Sequence, residues 1–484
     1  MAKPAETVSN LQPYPAYKPS GVKWLGDVPA HWKVRRLKAV ANNVVNPTTN
    51  RTPDKLCLAL EHVESWTGRI RPTAPDIALE SQVKQFETGD VLFGKLRPYL
   101  AKVAHPGSSG VCVGEFLVLR PRTKGLDPVY LSQLLRSKPA IDEIDASTFG
   151  AKMPRAEWVV IGSSECPLPP LDEQSAIARY LDHADRRIRC CIQAKKNLVK
   201  LLEEQRQTLV NEAVTGRVDV RNGQPYAAYK PSGVEWLGEV PTHWVVASLR
   251  HRYQQCLGKM LDTKHISGEH LFPYLRNTDV QWDEINVAGL PTMDIRPVEV
   301  DRYTVRRGDL LVCEGGEVGR CAIWDGDSRV VGYQKALHRL RPHHKDQDIP
   351  RFMYYALRSA TERGAFDDGH ESTIRHLTGD KLRAHRFPFP PFSEQSAIAH
   401  YLDHTDQCVR RNIRAARRQI HLLNEYRTRL IADVVTGKLD VREAAAQLPD
   451  GIEQTERSIE SDAPSNVDPG PAESLGAAAW ETET

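Results

Sequence analysis

The chain predicts an α+β tandem: two α/β domains separated and joined by two long α-helices that form an antiparallel coiled coil. Three observations carry this. First, "YPAYKPSGVKWLGDVPAHWKVRRL" from Tyr14 returns without a gap as "YAAYKPSGVEWLGEVPTHWVVASL" from Tyr226. Second, "PLPPLDEQSAIARYLDHADRRI" from Pro167 returns as "PFPPFSEQSAIAHYLDHTDQCV" from Pro388. Each copy then runs through a long proline-free stretch into "VTGRVDVR" or "VTGKLDVR". Third, the residues between these frames differ between copies and read as short strands broken by Gly, Pro and Asp. The copies lie about 212 residues apart at the first frame and about 221 at the second, so one long unit is used twice. A solenoid of short repeats is excluded.

In chain order, residues 14–170 form the first domain and 171–221 the central helix. Residues 226–391 form the second domain, 392–442 the C-terminal helix and 443–484 an acidic tail. Strand-like runs in the first domain are "DVLFGKL", "GVCVGEFLVLRP" and "EWVVIG"; in the second, "GDLLVCEGGEVGRCAIWDG" and "VVGYQKALHRLRP". A short helix interrupts each domain at "PVYLSQLLRS" and "PRFMYYALRS".

The long helices start behind prolines. Pro169 and Pro170 block helix upstream, Asp172 caps, and no Pro or Gly follows until Gly216. Ile177, Leu181, Ala184, Ile188, Cys191, Leu198, Leu202 and Leu209 step by fours and threes, with Lys195 and Gln205 filling the gaps. The second copy, capped by Ser393, gives Ile398, Leu402, Val409, Leu423, Tyr426 and Leu430, with Thr405, Asn412, Ala416 and Gln419 between. Helices of about 40 residues, about 60 Å long, rarely stand alone in water. The expected packing is Leu181, Ile188, Leu198, Leu202 and Leu209 against Leu402, Val409, Leu423 and Leu430, as a rigid spacer.

Composition is that of a soluble globular protein of 484 residues, 40% hydrophobic and 26% charged. No apolar leader opens the chain, and no stretch approaches a membrane span. Nine cysteines without a CxxC read as reduced thiols in a cytoplasmic protein and argue against a zinc site. The net charge of +3 is uneven. From Glu443 onward roughly ten acidic residues meet one basic, so the tail carries about −9 and the body about +12. A positive body favours a polyanionic partner. The tail is Pro-, Ser- and Glu-rich and is expected to be disordered.

Strings that imitate catalytic motifs fail on inspection. "GDVLFGKL" matches GxxxxGK, but Leu96 stands where a phosphate loop needs Ser or Thr, and its interior reads as a strand. "LPPL" and "FPPF" resemble the Pro-Pro loop of amino-methyltransferases, yet Leu168 and Phe389 offer no acceptor. "EGGEVGR" lacks GxGxxG spacing, and a hairpin explains Gly315 and Gly316 better. His105, His338, His343 and His344 are scattered, and no nuclease constellation appears. No catalytic or metal-binding residues are assigned.

The order of domains and helices, with "GVKWLGDVPAHW", "GDVLFGKLRPYLAK", "PLPPLDEQSAIARYLD", "EGGEVGRCAIWDG" and "STIRHLTGDKL", resembles the specificity subunit of a type I restriction–modification enzyme. The resemblance runs from Tyr14 to Arg442 and leaves the tail outside. It implies a non-catalytic adaptor whose two target recognition domains each read half of a split double-stranded DNA site. It also implies that the helices set the gap and dock two methyltransferase subunits, with restriction and translocation subunits joining. AdoMet, ATP and Mg²⁺ would then belong to those partners, none to this chain.

DNA reading needs Arg and Lys for phosphates and forked Arg, Asn or Gln for base edges. The densest such groups in the first domain are Lys95, Arg97, Tyr99 and Lys102, then Lys152 and Arg155. In the second they are Arg276, Asn277, Arg320, Gln334, Lys335, Arg375 and His376. Two rival functions are a fused or stand-alone DNA methyltransferase and a coiled-coil scaffold without DNA preference. The missing AdoMet and Asn-Pro-Pro-Tyr motifs oppose the first; the positive body and unlike domain interiors oppose the second.

Overall fold

A computed structural model describes residues 11–49, 56–71, 83–122, 124–148, 150, 153–261, 268–326, 330–366 and 376–449. The tail beyond 449 lies outside these. The chain divides into two compact units: residues 1–196 with 418–484, and residues 197–417.

Each unit contains one α/β domain with a doubly buried central sheet, termed its reader after the role the resemblance implies. In the first, β1 (Ala41–Val44), β2 (Leu56–Leu58), β3 (Val83–Phe86), β4 (Val91–Gly94), β5 (Val103–Ala104), β6 (Gly110–Val113) and β7 (Phe116–Pro121) make two sheets. The central sheet runs β1-β7-β4-β5 and is antiparallel throughout. Period-two alternation sends Val91 and Phe93 to the core shared with the helices and Leu92 to the core beneath the second sheet. With both faces covered, "VLFG" reads as a continuous apolar run. Helices α1 (Pro128–Arg136) and α2 (Lys138–Ala146) cover one face, α1 capped by Asp127 accepting from Val129 and Tyr130 amides.

The second unit repeats the plan. Strands β8 (Tyr253–Leu257), β9 (Leu271–Leu275), β10 (Leu310–Cys313), β11 (Cys321–Ile323), β12 (Gly332–Tyr333) and β13 (Leu337–Pro342) give a central sheet β8-β13-β10-β11. Leu310 and Val312 face one core, Leu311 and Cys313 the other. Both readers add one parallel pair among antiparallel neighbours: β2 with β6, and β9 with β12. A single helix, Pro350–Glu362, takes the place of α1 and α2.

The long helices are Leu171–Thr215 and Phe392–Val435, and within each unit their paired segments run in opposite directions. In the second unit Glu203 pairs with Arg417 at 3.1 Å while Arg206 meets Asp406 at 3.4 Å. In the first, Ile177 and Leu181 share a core with Leu430, Ile431 and Val434.

The seam differs from the sequence expectation by one residue on one of its two rows. Leu181, Ile188, Leu402, Val409 and Leu430 are buried, and Leu202, Leu209 and Leu423 partly so. Leu198, however, is 41% exposed. Its neighbour Val199 is turned inward instead, as are Ile192, Ile413 and Ile420 in place of Cys191, Asn412 and Gln419. A helix of 3.6 residues per turn with apolar residues at adjacent positions fits two seven-residue rows. Burial selects the row that keeps Asn412 and Gln419 in water.

Each unit is completed by the far end of the other copy's helix. In the second unit, residues after Thr215 fold onto the frame that follows: Gly216 sits at φ 73 against Pro241 and Trp244, leaving no room for a Cβ. In the first unit the same role falls to the C-terminal end. Gly437, at φ 78, packs on Pro29 and Trp32, and Asp440 pairs with Gln12. Among the described residues, no helix is long and apolar enough to cross a membrane.

Candidate nucleic-acid interface

Two adjacent side chains at the start of each long helix hold the reader in place. Glu173 accepts from Tyr14 Oη at 3.3 Å and Trp32 Nε1 at 2.9 Å, with His31 Nε2 at 2.6 Å and Arg442 at 3.4 Å. Glu394 repeats this with Tyr226, Trp244, His243 and Arg221. Burial, with the Glu173 charge beside it, pushes the Tyr14 phenol far up, so it stays a donor. The next residue faces the reader. Gln174, fully buried, donates to the carbonyls of Gly125 and Pro169 and accepts from the Asp127 amide. Gln395 donates to Gln347 and Pro390 and accepts from the Ile349 amide. The Glu-Gln pair in "DEQ" and "SEQ" thus joins opening frame, helix and reader.

Inside each reader one buried ion pair fixes the central strands. Asp90 accepts from the Glu87 amide at 2.7 Å and takes both arms of Arg120 at 2.7 and 2.8 Å. Asp309 accepts from the Arg306 amide and takes Arg341, all at 2.7 Å. The "GD" of the rejected phosphate-loop string is therefore a turn whose carboxylate reaches the "LRP" arginine of the next strand.

On this scaffold the candidate DNA-contacting residues fall into three groups. Lys152 and Arg375 lie outside the described residues. The side chains of Lys95, Arg97, Tyr99, Gln334, Lys335 and His376 have no hydrogen bond or ion pair within the chain among the described residues. The rest are already engaged. Lys102 Nζ donates to the Leu60 carbonyl at 2.7 Å, and Arg155 pairs with Glu115 at 3.0 Å. Burial lowers the Lys102 pKa, and the nearby Arg71 charge adds to it. Arg276 forks onto Asp279, and its guanidinium pKa is raised by that hydrogen bond. Asn277 donates to the Gly315 carbonyl and Arg320 to the Asn277 carbonyl. Buried Asn277 Oδ1 and Arg320 Nε have no partner among the described residues.

Lys95, Arg97 and Tyr99 belong to one hairpin, the connection from β4 to edge strand β5. The matching connection in the second reader joins β10 to β11 and holds Gly315 to Arg320. Asn277 packs onto it, donating to the Gly315 carbonyl and accepting from Arg320 through its own carbonyl. Of the residues chosen in the second domain, Arg320 lies on this hairpin and Asn277 hydrogen-bonds to it, while Arg276, Gln334, Lys335 and His376 lie elsewhere in the domain. Sequence reasoning passed over Glu173, Gln174, Asp90 and their counterparts, although both copies carry them at matching positions. His338, set aside as scattered, is buried between Gln255 and the Leu377 carbonyl.

Two domains of one plan, each followed by a long helix, give the chain a modular architecture. Residues 258–419 match the family model of the type I restriction modification DNA specificity domain. A putative type I restriction enzyme MjaX specificity subunit from Methanocaldococcus jannaschii is 23% identical over 448 residues, covering 86% of this chain and 96% of that protein. The EcoDI specificity subunit of Escherichia coli is 25% identical over 190 residues, 37% of this chain and 42% of that one. Among solved structures, a chain from work on complex assembly and conformational transition of the type I R-M system aligns with TM-score 0.67. It is 21% identical, over 85% of this chain and 99% of that one. The HsdS subunit from Thermoanaerobacter tengcongensis gives 0.53 at 20% identity, over 85% and 98%. Over most of its length the chain is similar to specificity subunits of type I restriction enzymes, and residues 258–419 match their DNA specificity domain.

Proposed function

We propose that this chain reads a bipartite double-stranded DNA target and directs adenine methylation and restriction to it, without catalysing either. The carrying observation is the pair of hairpins: the same strand-to-strand connection, leaving a strand whose other end is fixed by the same Asp–Arg pair, displays unlike side chains in the two readers. One frame with two unlike faces fits two half-sites of different sequence. The chemistry falls to partner chains of the kind that handle AdoMet, ATP and Mg²⁺: two methyltransferase subunits and the restriction subunits. The paired long helices set the unread gap. DNA from a host carrying this chain with its methyltransferase subunit, sequenced for methyl-adenine, is expected to show a two-part motif with a fixed internal gap. Methylation at an undivided motif would contradict this reading.

A further inference from the structure

We propose that Arg97 is a base-reading residue of the first reader, presented by a backbone fixed in advance. The inference rests on the DNA-reading function above and sorts one contact within it.

Arg97 has φ 51 and ψ 65, the left-handed region, and so does Ala101 four residues on, at φ 48. Side chains carry strain there that glycine does not. The equivalent hairpin of the second reader needs the same handedness and obtains it from Gly316 and Gly319, at φ 75 and 83. The first reader keeps an arginine where the fold favours glycine. Its backbone is held on both sides. Arg97 N donates to the Pro154 carbonyl at 2.8 Å and Leu100 N to the Arg97 carbonyl at 3.0 Å. Lys95 exchanges backbone bonds with Glu115 and Ala156, and Pro98 and Ala101 are buried. The Arg97 side chain itself is exposed and meets no partner within the chain among the described residues. Tyr99, 43% exposed, stands two residues away.

Rigid presentation separates base reading from phosphate attraction. A phosphate accepts a point charge from a mobile lysine or arginine, and slack in the backbone does little harm. A bidentate contact to guanine O6 and N7 needs the planar fork held in one orientation. The hairpin fixes the backbone from which such a fork would reach, and DNA would complete its orientation. In the second reader the matching stretch presents Glu317, held by Trp282, while Arg320 is mostly buried, so that hairpin does not offer a free guanidinium.

The test is the methylated motif of Arg97→Lys, Arg97→Gly and Arg97→Asn, each made in the full chain with its methyltransferase subunit and read on a randomised plasmid library. Asn tolerates the left-handed region and guards against a glycine variant that folds poorly. Base reading predicts that all three lose discrimination at one guanine position, by about ten- to a hundredfold, with the other half-site unchanged. Arg97→Gly should melt no lower than the parent chain. A lysine variant that keeps the original motif shows a phosphate contact and overturns the proposal. So does a fall in melting temperature of more than about 5 °C for both Gly and Asn, which would make the side chain structural. If the parent chain itself yields no bipartite motif, the failure lies with the DNA-reading function rather than with Arg97.

Discussion

Trp244 Nε1 donates to the Glu394 carboxylate at 2.9 Å, and both side chains are buried. The same indole-to-carboxylate bond, Trp32 to Glu173, recurs in the first unit at the same length. In each case the carboxylate lies at the start of a long helix and the indole at the end of the opening frame.

Removing that acceptor strands several donors at once. Glu394→Ala is expected to destabilise the second unit by about 3–5 kcal/mol, because Trp244, Tyr226 and Arg221 lose their common partner. Glu394→Gln keeps one acceptor oxygen and should cost about half as much. Urea unfolding followed by hydrogen exchange would assign the loss to a unit. Equal stability of Glu394→Ala and the parent chain would rule out the node as a fastener.

The first unit depends on the segment that follows the second long helix. Val441 and Ala445 are buried against it, and Arg442 bonds Asp440 and Glu173. Truncation after Leu439 should leave the first unit open to limited proteolysis while the second stays protected, since the second draws its equivalent contacts from Asp219 and Arg221. Equal cleavage of both units would contradict this.

The two seam rows predict opposite outcomes for similar substitutions. Ile413→Asp puts a carboxylate at a position 7% exposed and should cost about 3 kcal/mol or more, whereas Leu198→Asp, at 41% exposed, should stay within about 1 kcal/mol. Thermal melts of the two variants give the comparison. A larger loss at Leu198 would restore the row expected from sequence.

His385 makes the second unit acid-sensitive. Burial among Trp236, Phe366 and Phe387 lowers its pKa to about 4, and its Nε2 has no partner among the described residues. The unfolded chain binds this proton near pH 6.5, so between about pH 6.5 and 4 the unfolded state holds more protons than the folded one. Its contribution is fully present above that window and lost as pH falls through it, amounting to about 3 kcal/mol at most. His385→Phe should flatten the stability–pH slope in this range. An unchanged slope would show that other groups set it.

The architecture was legible because the sequence repeats itself. Both frames, both helix entries and the strand character of "DVLFGKL" could be read from spacing and turn residues. What periodicity could not decide was which of two adjacent rows is buried: Leu198 and Val199 are both apolar, and only tertiary packing selects one. The partners of Glu173, Gln174 and Asp90 were out of reach for another reason. A buried carboxylate looks like a solvated one until the groups that satisfy it, 141 residues away for Trp32 and Glu173, are placed beside it. The candidate DNA-contacting side chains were recognisable by type, but their freedom was not. Arg276 and Arg97 look alike in sequence, yet one is folded onto Asp279 and the other has no partner among the described residues.

Two independent readers on one frame can be tested by exchange. Residues 39–166 would be replaced with the corresponding interior of one of the similar specificity subunits, leaving the frames, Glu173 and Gln174 untouched, and methyl-adenine would be mapped in host DNA. We expect one half of the motif to change while the other half stays as in the parent chain. If both halves change together, or neither does, the two domains are not separate readers.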